Sequence, residues 1–297
     1  MTAQSDFFAE KGEDARMKIR VVAIIALLVS SLSPATAAEP FIVGGARPVN
    51  VWLPDQIPNP APLLVLLHSA STSGAHQEHY MKLAPVAKEN GIIYIAPDGT
   101  VSPEGKRFWN AAKSCCNKFG IQVDDVAYIN SLIDEISAKY PIDPKRIYFI
   151  GHSNGAFMSY TFACKTNRVA AIVAIAGAMD AEPECKPSQP VSLLDIHGTA
   201  DKTIQFHGGK MNFHPYTSAP ATVNTYAEVN KCTKPISFRK DFEPTIKGLE
   251  TTIFNYSCAT HTHLQFWEIK KGSHSPKLPA DFAQLVIKFL LRQSKAE

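Results

Sequence analysis

Short, continuously apolar runs alternate with amphipathic stretches through the middle of the chain, and this alternation restricts the fold more than any other feature. Five runs have the length and continuous hydrophobicity of strands buried on both faces: PLLVLLHS, GIIYIAPDG, RIYFIG, VAAIVAIAG and VSLLDIHGTAD. Between them lie helix-like stretches at about residues 80–90, in DDVAYINSLIDEISAKY and from about Asn154. The sequence therefore predicts the α/β class, with a mostly parallel central sheet and helices on both faces.

Both ends of this pattern carry further elements. RPVNVWLP, near the N-terminus, predicts an antiparallel edge strand, and LQFWEIKKG predicts the last strand of the chain, followed by the helix DFAQLVIKFLL. Residues 183–190 and 208–220 are rich in loop-forming residues. We expect both segments to be surface excursions around a site, and not domain boundaries.

The N-terminal region has the order of a secretory signal peptide. From Met17, MKIRVVAIIALLVSSLSPATAAEP has a basic start, an apolar stretch and a small-residue end. The apolar stretch has about a dozen residues, whereas a membrane-spanning helix needs about 20. We predict a signal peptide at 17–38, cleaved near Ala37 or Ala38, after an upstream extension at 1–16 that indicates a translation start at Met17. A single domain at 39–297 would be secreted or periplasmic, without a stable membrane anchor.

Charge excludes one class of partner. The net charge is +3, from 30 basic and 27 acidic side chains among 297 residues. No dense cluster of lysine and arginine of the kind that neutralises phosphates occurs in the sequence. We therefore expect no nucleic-acid partner.

Six cysteines follow the predicted signal peptide, and an even number in an exported chain predicts disulfides. No C-x-x-C pair occurs, which disfavours a zinc ribbon or a thioredoxin motif. Among the possible arrangements we prefer the two pairs with moderate loops, Cys164–Cys185 and Cys232–Cys258. Cys115 and Cys116 would then be a vicinal pair or two thiols, and two thiols would suit a redox protein.

A serine flanked by glycines stands where the strand RIYFIG passes into a helix-like stretch. In a parallel α/β sheet, catalytic groups gather at the carboxyl ends of the strands. Gly151 and Gly155 leave room for a sharp turn that would expose the hydroxyl of Ser153. The turn would also direct the backbone N–H of Asn154, at the start of the helix, toward the reacting oxygen. We therefore predict that Ser153 is a nucleophile and that Asn154 belongs to an oxyanion hole.

A serine nucleophile needs a base, and the base needs an orienting acid that precedes it in the chain in this kind of fold. Asp201 lies in the loop just past a buried strand, and Asp180, in the previous strand's loop, is its rival. We prefer Asp201. His274 is the only one of ten histidines between the last strand and the last helix. The sequence therefore predicts Ser153, Asp201 and His274 as catalytic residues.

Neighbouring loops supply candidates for support. The loop LLHSASTSG offers the backbone N–H of Ser69 or Ala70 as the second oxyanion donor, and we choose Ala70. Ser69 and His152 are candidates for the substrate pocket or for support of the site. His261 and His263 could share one face of a strand, but acidic or cysteine ligands are missing nearby, so we predict no metal site.

Four stretches, in this order, resemble a known family: FWNAAKSCC, VDDVAYINSLIDEISAKYPIDPKRIYFIGHSNGAFMSY, LLDIHGTADKTIQFHGG and the GSH before the final helix. The family comprises the secreted polyhydroxybutyrate depolymerases and feruloyl esterases, which are α/β hydrolases. The resemblance covers about residues 41–291. It implies the α/β-hydrolase fold, with Ser153 as nucleophile, Asp201 as acid and His274 as base.

The chain departs from the family pattern at two places. Ser69 follows the early-loop histidine where the family commonly has glycine, and HSPKLP stands where the family often has His-Trp-Pro-Gly. A tryptophan that would line the cleft is therefore missing, and Trp109 is the candidate to wall the pocket instead.

We predict a secreted serine esterase that hydrolyses carboxylic esters through an acyl-enzyme and needs no cofactor. Its substrates would be hydroxyalkanoate oligomers or polymers, or feruloyl or acetyl esters of polysaccharide. The alternative is an exported binding protein that keeps the fold without catalysis.

Overall fold

The computed structural model describes residues 41–181, 185–259 and 261–295, which lie in one compact unit, Pro40–Glu297. The predicted extension 1–16, the signal peptide 17–38 and its cleavage near Ala37 or Ala38 lie outside the described residues. The strands within them are β1 (Phe41–Val43), β2 (Val49–Trp52), β3 (Ala61–Leu67), β4 (Ile93–Ile95), β5 (Thr100–Val101), β6 (Arg107–Phe108), β7 (Ile142–His152), β8 (Ala171–Ile175), β9 (Ser192–Gly198), β10 (Gly209–Met211), β11 (His214–Tyr216), β12 (Ile236–Lys240), β13 (Thr251–Ser257) and β14 (His263–Ile269). The helices are α1 (Gly74–Met81), α2 (Leu83–Glu89), α3 (Asp125–Lys139), α4 (Asn154–Lys165), α5 (Ala219–Val229) and α6 (Phe282–Leu290).

Ten of these strands form one sheet, in the order β1-β2-β4-β3-β7-β8-β9-β14-β13-β12. The six strands from β4 to β14 pair in parallel, and two antiparallel strands extend the sheet at each edge. The predicted mostly parallel sheet is therefore confirmed. RPVNVWLP forms β2, which is antiparallel to its neighbours as predicted, but β1 lies outside it, so the predicted edge position is wrong.

Helices cover both faces of the sheet, as predicted. Side chains from α3, α4 and α5 pack with one face, and side chains from α2 and α6 pack with the other. Helix α3 shows how the sequence encodes this layer, because Ile129, Leu132, Ile133 and Ile136 recur at helical spacing and are fully buried. The side chain of Asp124 accepts a hydrogen bond from the Ala127 N–H and caps the helix.

One local prediction needs correction, and a second gains detail. The single helix expected at 80–90 is two short helices, because Lys82 takes a left-handed conformation with φ of 54° between them. Residues 208–220, which we expected to be a surface excursion, contain the hairpin β10–β11. In the part of the chain that the structure describes, no helix has the length and hydrophobicity to cross a membrane.

Candidate active site

Ser153 lies at the turn between β7 and α4 with φ of 55° and ψ of −119°. Residues other than glycine rarely adopt this backbone conformation. The two flanking glycines make the turn possible. A Cβ on Gly151 would collide with the backbone of Gly155, and a Cβ on Gly155 would collide with the carbonyl of Leu67 at the end of β3. The backbone N–H of Ser153 donates to the Ile175 carbonyl at 2.8 Å, which ties the turn to the neighbouring strand.

His274 and Asp201 complete a hydrogen-bonded line that starts at Ser153. The Nε2 atom of His274 lies 2.9 Å from the Ser153 Oγ, and its Nδ1 atom lies 2.8 Å from Oδ2 of Asp201. Side chains that follow three different strands thus meet at the carboxyl edge of the sheet. The geometry is that of a nucleophile, a general base and an orienting acid.

The loops that carry Asp201 and His274 are joined to each other. The Ala200 N–H donates to the Gly272 carbonyl at 2.9 Å, and the Lys271 N–H donates to the Thr199 hydroxyl at 2.9 Å. A Cβ on Gly198 would collide with the Gly272 carbonyl. The close approach of the two loop backbones therefore fixes the position of the acid relative to the base.

Asp201 is held in its ionised form. Burial alone would raise the pKa of its carboxyl, but the close contact with His197 and the hydrogen bond from His274 outweigh burial, and the pKa lies well below the usual range. Its Oδ1 atom also accepts from the backbone N–H groups of Thr203 and Ile204, at 2.8 and 2.9 Å. A carboxylate with this many donors keeps one orientation.

Two backbone N–H groups near Ser153 could donate hydrogen bonds to an oxyanion. Asn154 is the first residue of α4, so its N–H has no acceptor within the helix. In the loop after β3, the Ser69 N–H donates to Gln77 Oε1 at 3.1 Å and the Ser71 N–H donates to the Arg107 carbonyl at 2.8 Å. Within the described chain the Ala70 N–H, which lies between them, has no hydrogen-bond acceptor, so Ala70 is better placed than Ser69 to donate.

The side chain of Asn154 has a task that the sequence did not reveal. Its Oδ1 accepts from the Trp109 N–H at 2.7 Å, and its Nδ2 donates to the Trp109 carbonyl at 3.0 Å. Both residues are fully buried. The residue after the candidate nucleophile therefore also anchors the loop that carries Trp109, a contact between positions 45 residues apart.

A cavity of about 280 Å³ opens beside Ser153. Its largely apolar wall includes Ala70, Phe108, Cys116, Ile204 and Met211. Charged side chains also line it, and most are paired: Arg107 with Asp98 at 2.9 Å and Lys118 with Glu104 at 2.8 Å. The space beside the hydroxyl can therefore accept an apolar or aromatic group.

The three residues expected in the pocket lie elsewhere. Ser69 is held in its own loop, where its hydroxyl lies 3.2 Å from that of Thr72. Trp109 is fully buried and donates its indole N–H to the His68 carbonyl at 3.1 Å. His152 donates from Nε2 to the His274 carbonyl at 2.9 Å. Ser69, Trp109 and His152 therefore support the site from behind, and none of them lines the cavity.

Asp180, the rival acid, is used to hold a loop. Its carboxylate accepts from the Lys113 N–H at 2.8 Å and from the Ser114 N–H at 2.9 Å. These bonds position the segment that leads to Cys115 and Cys116. A larger cavity of about 800 Å³ that Asp180 helps to line contains neither Ser153 nor His274, so Asp180 is not placed to orient the base.

All six cysteines are joined in pairs. The pairs are Cys164–Cys185, Cys232–Cys258 and Cys115–Cys116, and the first two are those preferred from the sequence. Cys116 contributes to the cavity wall, so the vicinal pair belongs to the surroundings of Ser153. No group of three or more histidine, cysteine or acidic side chains that could hold a metal ion occurs in the described residues.

A mostly parallel sheet with a serine at the turn after a central strand, and with an acid and a histidine in later strand-end loops, defines an α/β hydrolase. Residues 56–232 match the family model described as Phospholipase/Carboxylesterase. Since this match spans more than half of the chain, the protein belongs to that family. The predicted α/β-hydrolase fold is confirmed.

Individual relatives agree with this assignment. The chain is 33% identical over 184 residues to feruloyl esterase B of Piromyces equi, covering 58% of this chain and 33% of the relative. It is 26% identical over 289 residues to feruloyl esterase D of Neurospora crassa, covering 86% and 90%. The chain spans half or less of the length of the first three curated relatives that it matches.

Among solved structures, an acetyl xylan esterase from Aspergillus awamori superposes with a TM-score of 0.60 at 13% identity, covering 85% of this chain and 98% of that one. At this identity the likeness shows the fold alone. The resemblance to feruloyl esterases predicted from the sequence is confirmed by the relatives. The resemblance to polyhydroxybutyrate depolymerases stays a prediction.

Proposed function

We propose that the protein is a serine esterase that hydrolyses carboxylic esters through an acyl-enzyme. The observation that carries the proposal is the unbroken line of hydrogen-bond contacts from the Ser153 Oγ through His274 to Asp201. Membership of the phospholipase/carboxylesterase family supports the same reaction class. The chemistry needs no cofactor, because serine, histidine and backbone donors suffice for acyl transfer.

In the proposed reaction, the Ser153 Oγ attacks the ester carbonyl carbon while His274 Nε2 takes the hydroxyl proton. The N–H groups of Ala70 and Asn154 stabilise the oxyanion that forms on the carbonyl oxygen. The tetrahedral intermediate collapses as His274 gives its proton to the leaving alkoxide, and an acyl-enzyme remains. Water, deprotonated by His274, then attacks the acyl carbon, and the acid leaves as Ser153 recovers its proton.

The proposed substrates are esters of hydroxyalkanoate, in oligomers or polymers, or feruloyl and acetyl esters of polysaccharide. Relatives named as feruloyl esterases favour the second group. The apolar wall beside Ser153, with Phe108 and Met211, suits an aromatic or aliphatic acyl group. The early apolar stretch and its small-residue end support export of the enzyme, with cleavage near Ala37 or Ala38.

The test is hydrolysis of p-nitrophenyl esters, feruloyl esters and hydroxybutyrate oligomers by wild type and Ser153→Ala. We expect the variant to lose at least about 10³-fold in kcat, because the nucleophile is absent. Ser71→Ala, a hydroxyl in the same cavity, is the matched control and should keep most of the activity. Equal hydrolysis by wild type and Ser153→Ala would exclude the mechanism, and no hydrolysis by either would favour a non-catalytic binding protein.

A further inference from the structure

Two more ionisable side chains, Asp195 and His197, precede the Asp201 loop on strand β9. Both residues are only 1% exposed. Because they are two positions apart in a strand, they lie on the same face of the sheet. Neither takes part in the proposed acyl transfer. Burying a charged side chain is unfavourable unless a partner compensates for the lost hydration.

His197 reaches the candidate orienting acid directly. Its Nε2–H donates to the Ile204 carbonyl at 2.8 Å, and the same Nε2 lies 3.4 Å from Oδ2 of Asp201. That carboxylate oxygen is the one that accepts from His274. Two imidazoles therefore converge on one oxygen of Asp201, one of them exposed to the site and the other buried in the sheet.

Asp195 stands behind His197. Its Oδ2 accepts a hydrogen bond from the buried Tyr160 hydroxyl. Its Oδ1 and the Nδ1 of His197 are both buried without a hydrogen-bond partner among the described residues. Side chains of opposite charge at these two positions would attract each other through a medium of low dielectric constant, which offsets part of the cost of burial.

The other ionisable groups around the pair are His152, Tyr160, Tyr226 and His274. Burial lowers the pKa of His152 to about 4 and raises those of Tyr160 and Tyr226 well above 10. These three side chains are therefore neutral near pH 7. The groups left that could carry charge behind His274 are then Asp195, His197 and Asp201.

We propose that Asp195 and His197 form a buried charge pair that acts through Asp201, with His197 as a positioning residue that sets the pH range of the base His274. This inference rests on the proposed function. Burial would lower the pKa of His197, but Asp201 and Asp195 outweigh burial and raise it. Burial raises the pKa of Asp195 to about 6, so Asp195 is largely ionised at pH 7, and the raised pKa of His197 favours an imidazolium beside it. The cationic His197 then competes with the His274 imidazolium for the charge of Asp201.

The first test is the pH dependence of kcat/KM for His197→Gln on p-nitrophenyl butyrate. Glutamine can still donate to the Ile204 carbonyl but carries no charge, so the loop keeps its tie. Without the competing cation, the His274 imidazolium is stabilised, and the acid limb should move to higher pH by about 0.5 to 1 unit. His263→Gln, at an exposed position at the start of β14, is the matched control and should leave the limb in place.

The second test reads the charge of His197 without activity. In wild type labelled with ¹⁵N-histidine, the His197 resonance is identified by its absence from the spectrum of His197→Gln. At pH 7 it should have the chemical shifts of an imidazolium. In Asp195→Asn it should lose them. A neutral His197 in wild type, or an acid limb unmoved in His197→Gln, would overturn the inference. If either of these results occurs while Ser153→Ala still abolishes activity, the proposed function stands and only the inference about His197 fails. The two failures are therefore distinguishable.

Discussion

His152 is a neutral neighbour of the candidate base. Its Nε2–H donates to the His274 carbonyl at 2.9 Å, and the two imidazole rings lie 5.2 Å apart. Burial lowers the pKa of His152 to about 4, so it holds the backbone of His274 without adding a positive charge beside it. The residue before the nucleophile thus positions the base in a way that its place in the sequence did not reveal.

The buried His152 predicts an acid-dependent loss of stability. An unfolded histidine takes up a proton below about pH 6.5, whereas folded His152 does so only near pH 4. Between these values the unfolded state binds more protons, so the free energy of unfolding falls as the pH falls. Relative to His152→Gln, wild type should lose up to about 3 kcal/mol between pH 7 and pH 4.

Urea unfolding of both proteins at a series of pH values measures this difference. Asp195 and other titrating groups are common to both chains, so they cancel in the comparison. A difference between wild type and His152→Gln that stays constant from pH 7 to pH 4 would contradict the prediction.

At this scale the sequence predicts residues whose chemistry is tied to a strand end. Ser153, Asp201 and His274 could be placed because a glycine-flanked serine, chain order and loop position restrict each choice. The places of Trp109 and His152 could not be predicted, because they depend on contacts with Asn154 and His274 that lie 45 and 122 residues away. Such tertiary contacts leave no local pattern.

The elements divide in the same way. The buried parallel strands were predictable because both of their faces are apolar, as in β3, whose seven residues are all buried. The outer strands β12 and β13 escaped prediction because neither is buried on both faces. In β12 four of five residues are exposed, and its sequence ISFRK has no continuous apolar run. The edge of the sheet is therefore set by pairing to β13 and not by a pattern of its own.

Gly155 lies at the junction of β3, β7 and α4, where there is no room for a side chain. A Cβ on Gly155 would collide with the carbonyls of Leu67 and His68 on the neighbouring strand. These are backbone atoms of a packed core, so relief requires the helix to move away from the sheet. We expect Gly155→Ala to lose at least about 3 kcal/mol of stability or to fail to fold.

Gly105→Ala is the matched control. Gly105 has φ of 73°, and a Cβ there would meet no atom within 4 Å, so only backbone strain of about 1 kcal/mol is expected. Urea unfolding of the two variants separates steric collision from strain. Equal losses in both would show that the helix can move away from β3 without cost.

Two disulfides join segments that lie far apart in the sequence. Cys164–Cys185 joins the last turn of α4 to the segment before β9, and Cys232–Cys258 joins the end of α5 to the end of β13. Because β13 runs antiparallel to β14, Cys258 lies near the start of β14. The second bridge is therefore at the amino ends of the parallel strands, opposite the edge that carries Ser153.

This position predicts that stability and activity separate when the bridge is removed. Closing a loop with a sequence separation of 26 residues restricts the unfolded chain by about 3 kcal/mol. The double variant Cys232→Ala/Cys258→Ala should lose about that much free energy of unfolding. Its kcat/KM at 25 °C should stay within about twofold of wild type, because no element that carries Ser153, Asp201 or His274 is altered.

Urea unfolding with and without a reducing dithiol provides the control. The dithiol removes the remaining bridges from both proteins, so wild type should lose more stability than the double variant by the contribution of Cys232–Cys258. The prediction also concerns the compartment in which the protein folds. A disulfide that contributes to stability forms and persists under oxidising conditions, such as those that an exported chain meets. Equal stability of wild type and the double variant in oxidising buffer would refute it, and a large fall in kcat/KM of a folded double variant would place the bridge in contact with the site.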